Sequence, residues 1–173
     1  MIHPLLDYRH IKEYILYGLG AAFAFILPVI IFLTEHRYEN FYYLFIGAGL
    51  FMLVILFYTF KLSHRPYDKK RALSMTLAGH FVTIAGIVFS CILSTICFVL
   101  FDTNLFETNS PKVIITSAPA TINPTRSLSL LFMILSVATI GNFSVGSFIS
   151  VVTAYASKVN QTRDKVVPLK TEI

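Results

Sequence analysis

The sequence predicts an all-α integral membrane protein with four transmembrane helices in an antiparallel bundle and both termini in the cytoplasm. Four apolar runs are long enough to cross a bilayer and contain no Asp, Glu, Lys or Arg. Charged residues make up only 13% of the 173-residue chain, against about 25% in soluble domains. The basic residues are also divided unequally between the two sides that these runs define. We therefore expect residues 1–173 to form a single membrane domain, most simply in a bacterial inner membrane.

The predicted spans and the segments between them follow one another along the chain with no repeat and no second domain. The spans cover 14–34, 41–60, 75–101 and 128–156, separated by a short turn, a basic loop at 61–74 and an exterior loop at 102–127, with a cytoplasmic tail at 157–173. Pro28 removes a backbone donor from the first span and predicts a kink there. All nine tyrosines lie at or near predicted span ends or in flanking segments, as expected for rings at the membrane–water boundary.

The distribution of basic residues predicts the orientation. The N-terminal segment, the loop 61–74 and the tail together contain eleven of the 14 Lys and Arg residues. The opposite side contains only Arg37, Lys112 and Arg126. Because short cytoplasmic loops are enriched in Lys and Arg, we place both termini in the cytoplasm.

Small and polar residues form one stripe along the third span. They recur at spacings of three and four, which places them on one face of a helix: Thr76, Gly79, Thr83, Gly86, Ser90, Ser94 and Cys97. Apolar helices in a membrane associate where small residues let backbones approach and where hydroxyls can bond across. The stripe therefore predicts a helix-packing seam, with a polar pathway or ligand pocket as the alternative.

The fourth span has a matching face. It includes Thr139, Asn142, Gly146 and Ser150. In an antiparallel pair, Asn142 and Ser90 fall near the same depth, so we expect the Asn142 amide to bond to a neighbouring helix, with Ser90 as the first candidate.

Residues suited to catalysis or cofactor binding are scarce. His80 is the only ionisable side chain besides Tyr and Cys within the spans, and a hydrogen-bonded structural histidine is favoured there over a proton relay or ligand. No cluster has metal-ligand spacing, and no second histidine lies within the spans to ligate a haem. We therefore expect no catalytic residues, cofactor or metal.

The basic loop is the most polar motif. Lys61, Arg65, Lys69, Lys70 and Arg71 act as topology determinants, and they are candidate contacts for anionic lipid or an acidic partner surface.

By elimination, the sequence favours a non-catalytic accessory, structural or assembly subunit of a larger membrane complex. The expected partners are membrane lipids and other membrane subunits or further copies of the chain, without nucleic acid. One alternative is a small homo-oligomeric transporter or channel with spans three and four lining the path. Another is a lipid-binding or lipid-modifying protein at the cytoplasmic leaflet.

The orientation is testable by cysteine labelling in sealed cells, with Cys91 and Cys97 replaced by Ala. A membrane-impermeant reagent should label a cysteine placed at Ser110 and miss one placed at Ser63, because the basic asymmetry puts the two sites on opposite sides. Labelling at Ser63 in intact cells would overturn the orientation.

Overall fold

The described part of the chain is helical almost throughout. The computed structural model describes residues 8–35, 38–64, 72–101 and 127–163. It contains α1 (Tyr8–Glu35), a 3₁₀ turn (Tyr38–Phe41), α2 (Tyr42–Ser63), α3 (Ala72–Phe101), α4 (Ser127–Ser136), a π-helical segment (Val137–Gly141) and α5 (Asn142–Arg163). Because α4, the π-helical segment and α5 are continuous, they form one long rod, here called the fourth helix.

Four helices are long and apolar enough to cross a membrane, which confirms that part of the sequence prediction. They cover His10–Glu35, Glu39–Ser63, Leu73–Phe101 and Leu130–Ser157. At 1.5 Å per residue, each is roughly 38–44 Å long, more than the hydrocarbon thickness of about 30 Å. α1 and α2 extend beyond the predicted spans into polar flanks, since the helical backbone does not end where the apolar run ends.

The four helices are arranged around a common core. α1 packs against α2 and α3, and α5 packs against α3 and α2. Thus α1 and α5 occupy opposite corners. α1 remains helical through the buried Pro28, and the predicted kink stays a prediction.

Aromatic rings fill the core. The largest fully buried side chains include Phe25 of α1, Phe51 and Tyr58 of α2, and Phe98 of α3. Each is at most 1% exposed. Large apolar side chains also cover the outside, for example Leu16, Phe57 and Phe132. Since both surfaces are apolar, fit and close approach must select which faces meet.

The end of α1 is held against the start of α2. The Phe32 and Phe41 rings meet edge to face, with centroids 6.5 Å apart. The Asn40 amide also donates to the Glu35 carboxylate across the short connection.

Candidate functional site

The seam residues of α3 and α5 meet in two glycine–hydroxyl pairs. A Cβ atom added at Gly79 would lie 2.7 Å from Cβ of Ser150. One added at Gly146 would lie 2.5 Å from Cγ2 of Thr83. In each pair, a glycine on one helix receives a hydroxyl-bearing side chain from the other. The two backbones therefore approach more closely than any larger residue at 79 or 146 would allow.

The hydroxyls in this seam bond to their own helices. Thr83 Oγ1 donates to the Gly79 carbonyl at 2.9 Å, and Ser150 Oγ donates to the Gly146 carbonyl at 2.6 Å. Such bonds to residue i−4 satisfy the hydroxyl locally. Close packing, rather than a hydrogen bond between these hydroxyls across the seam, therefore joins the helices here.

Thr59 of α2, which is not among the predicted seam residues, joins the same contact. Its Cγ2 would lie 3.2 Å from a Cβ at Gly79. Its Oγ1 donates at 3.0 Å to the carbonyls of Ile55 and Leu56. A single threonine among aromatic and aliphatic residues has no periodic signal, so only the tertiary contact reveals it.

Gly86 has different neighbours from those expected. The matching faces of the third and fourth spans predict a contact with the fourth span, but the nearest neighbours of Gly86 belong to α2 and α1. A Cβ there would lie 2.7 Å from Cε2 of Phe51 and 3.3 Å from the Gly18 carbonyl oxygen. Gly18 is equally close-packed, because a Cβ added there would lie only 2.9 Å from the Gly86 nitrogen.

Gly18 was also absent from the sequence-based site. A signal exists, because Gly18, Ala21, Ala22 and Phe25 recur at helical spacing and are all buried. The first span therefore contains a face of its own with small residues, and Gly18 on that face meets α3.

The predicted hydrogen bond between Asn142 and Ser90 is absent. Ser90, Ser94 and Asn142 are each fully buried. The hydroxyls of Ser90 and Ser94 have no hydrogen-bond partner within the described ranges, and neither do the Nδ2 and Oδ1 atoms of Asn142. The expected depth match is only approximate, since the pairs Gly79–Ser150 and Thr83–Gly146 place Asn142 about one turn from the level of Ser90.

Thr139 lies on the exposed side of the fourth helix. Its hydroxyl donates to the Leu135 carbonyl at 2.8 Å. A regular helical wheel places Thr139 near Asn142, but Thr139 lies within the π-helical segment, which ends just before Asn142. Bonding from i to i+5 widens the turn and reduces the rotation per residue, so Thr139 turns away from the core.

The two ends of the α3 stripe are only half-buried. Thr76 and Cys97 occupy these positions, and Cys97 is a free thiol. The closest contacts therefore involve the central part of the stripe.

His80 is tied to its own helix. Its Nδ1 lies 2.8 Å from the Thr76 carbonyl oxygen. Because a carbonyl only accepts, Nδ1 carries the proton and donates. The ring is half-buried and stands edge-on to Phe143, with centroids 6.4 Å apart.

Of the basic contact candidates, only Lys61 lies within the described residues. Its Nζ donates to the Tyr17 hydroxyl at 2.9 Å. Arg65, Lys69, Lys70 and Arg71 lie outside the described residues.

The described ranges contain no group of three His, Cys, Asp or Glu residues that could hold a metal ion. Comparison with protein-family models, curated proteins and solved structures finds no match for this chain.

The inward position of Gly86 predicts a specific loss of stability. Gly86→Leu should lower the free energy of unfolding by about 1–3 kcal/mol, because Phe51 and the Gly18 backbone occupy the space that the side chain needs. Thermal unfolding in one mild detergent measures this as a Tm lower by several degrees. Ile92→Leu is the control, since Ile92 is 51% exposed, and should be near neutral. A wild-type Tm for Gly86→Leu would show that these contacts do not form.

Proposed function

We propose that the protein is a non-catalytic accessory or assembly subunit of a larger membrane complex, built as an antiparallel four-helix bundle in a bacterial inner membrane. The basic asymmetry supports cytoplasmic termini. Contact pairs support the antiparallel arrangement: Tyr17 meets Lys61 near one end of α1, while Phe32 meets Phe41 near the other.

Glycines that face away from the bundle carry this proposal. A Cβ at Gly49 would find no neighbour within 4 Å, whereas one at Gly47, two residues earlier on α2, would lie 2.9 Å from the Phe25 carbonyl oxygen. Gly49 itself is half-buried. Gly20 of α1 is exposed, and its Cβ would approach only Val54, at 3.9 Å. Gly47 thus serves packing inside the chain, while Gly49 and Gly20 do not.

An outward glycine weakens its own helix without helping the monomer. Glycine costs about 1 kcal/mol relative to alanine in a helix interior. In a membrane it also lets the backbone of a second helix approach closely. A partner helix on the outer face of α1 and α2 therefore gives Gly20 and Gly49 a role that the monomer lacks.

The packing between α3 and α5 favours a subunit over a channel lined by these helices. The Gly79–Ser150 and Thr83–Gly146 pairs bring their facing surfaces into direct contact. Further along the same face of α3, Phe51 lies against Gly86. A path between these helices within one chain would have to separate these contacts.

The matched pair Gly47→Leu and Gly49→Leu tests the proposal. Gly49→Leu should keep the wild-type Tm, because its side chain enters open space, but should lose a membrane-protein partner that co-purifies with the wild type. Gly47→Leu should instead lower the Tm, because the new side chain meets the α1 backbone and Phe25. Co-purification in mild detergent and thermal unfolding give the two readouts.

Ile92→Leu, on the exposed side of α3, is the control that should retain both the partner and the Tm. A wild-type chain that purifies without other proteins would contradict the proposal, and a homo-oligomer would favour the transporter or channel. Retention of the partner by Gly49→Leu and Gly20→Leu would reject docking at this face.

A further inference from the structure

Three fully buried polar side chains lack hydrogen-bond partners in the described part of the bundle. They are Ser90 and Ser94 of α3 and Asn142 at the start of α5, each with 0% exposure. The Asn142 amide has two N–H donors and an acceptor oxygen. A buried amide without partners is costly, and buried side-chain polar atoms in proteins nearly always have a partner from protein or water.

The other buried hydroxyls of the bundle provide a contrast. Thr59, Thr83 and Ser150 are equally buried, and each donates to a carbonyl of its own helix. Ser90 and Ser94 occupy a similar helical environment but make no such bond. Their hydroxyls therefore remain able to bind a further group.

The backbone at Asn142 is an independent irregularity. The π-helical segment Val137–Gly141 ends there, and the Asn142 N–H points to the carbonyls of both Thr139 and Val137. Single π turns within α-helices frequently occur at functional sites. The widened turn and the unpartnered amide meet at the same residue.

The helix register brings the three residues to neighbouring levels. From the Gly79–Ser150 pair to the Thr83–Gly146 pair, α3 advances four residues while α5 goes back four. Four residues further along α3 and four further back on α5, Asn142 lies opposite the turn that contains Ile87. Ser90 follows about one turn later, and Ser94 lies a turn beyond on the same face. One turn is about 5.4 Å.

The donor and acceptor set identifies the ligand class. The Asn142 Nδ2 hydrogens need an acceptor, while its Oδ1 needs a donor. A sodium ion could bind Oδ1 and hydroxyl oxygens, but it offers nothing to Nδ2, and no carboxylate within the described residues lies in this part of the bundle to balance its charge. Water supplies both functions and is the smallest ligand that does so.

We propose that Asn142, Ser90 and Ser94 bind internal water between α3 and the fourth helix. The site is separate from the proposed docking face, because all three side chains are shielded from the outer surface. It is also separate from the glycine–hydroxyl pairs, whose hydroxyls are already satisfied by the backbone.

Solid-state NMR of the full chain in lipid bilayers tests the site directly. Magnetisation should pass from water to the Asn142 side-chain amide at short mixing times. The amide signal is assigned by its loss in Asn142→Leu. The backbone amide of Phe51, which is also fully buried, is the control and should receive far less magnetisation from water.

Ser90→Ala and Ser94→Ala should each weaken the transfer of magnetisation from water to the Asn142 amide. An Asn142 amide that receives no more than Phe51 would overturn the proposal, whatever the stability of the variants.

Thermal unfolding separates water from the other possibilities. A hydrated Asn142 predicts that Asn142→Leu does not raise the Tm, since leucine removes satisfied hydrogen bonds. A clear rise would indicate that the amide is dry and unpaired in the wild type, and would contradict the proposal. The Tm should be the same in sodium chloride and choline chloride at equal concentration. A higher Tm in sodium chloride would show a cation site instead.

Discussion

Close approach of helix backbones at inward glycines is the constraint on which the rest of this structure depends. The outer surfaces of the helices are as apolar as the inner ones, so burial of apolar area cannot select which faces meet. Gly18 and Gly86 join α1 to α3, Gly47 receives Phe25 of α1, and Gly79 and Gly146 join α3 to α5. At each of these positions, a methyl group would already be too close to its neighbour.

The aromatic core follows from these contacts. Phe51 can occupy the centre because Gly86 leaves it room, and Phe25 packs against α2 because Gly47 does the same. The buried Thr59, Thr83 and Ser150 fit into this arrangement because each satisfies its hydroxyl on its own helix. α3 therefore has two regions of different character. In the packing region from Gly79 to Gly86, the buried Thr83 hydroxyl is satisfied by its own helix. In the polar region around Ser90 and Ser94, neither hydroxyl has a partner among the described residues.

Inward and outward glycines differ in what the monomer explains. Inward glycines are accounted for by the contacts of the monomer. The outward Gly20 and Gly49 are not, and for that reason they point to a second helix outside the chain. Asn142 presents a similar case inside the bundle, because its amide is buried without a hydrogen-bond partner among the described residues, and water is the ligand proposed for it. In both places the inference begins from a group that the monomer's own packing leaves unexplained.

The amino-acid sequence by itself determined the number of spanning-length helices, their approximate positions and the stripe of small residues on α3. These properties follow from local composition and helical periodicity, which need no knowledge of neighbouring elements.

The neighbours of each stripe residue were decided only by the tertiary structure. Gly86 meets α1 and α2, and not the fourth helix as expected, because a helical wheel gives the direction of a side chain within its helix but not the position of the other helices. Thr139 turns outward because the π-helical segment changes the rotation of the backbone, and the helical periodicity of the sequence does not predict that segment. The contact of Gly18 with α3 could not be predicted either, nor could the lack of a hydrogen-bond partner for Asn142 among the described residues, since both depend on how the helices pack together.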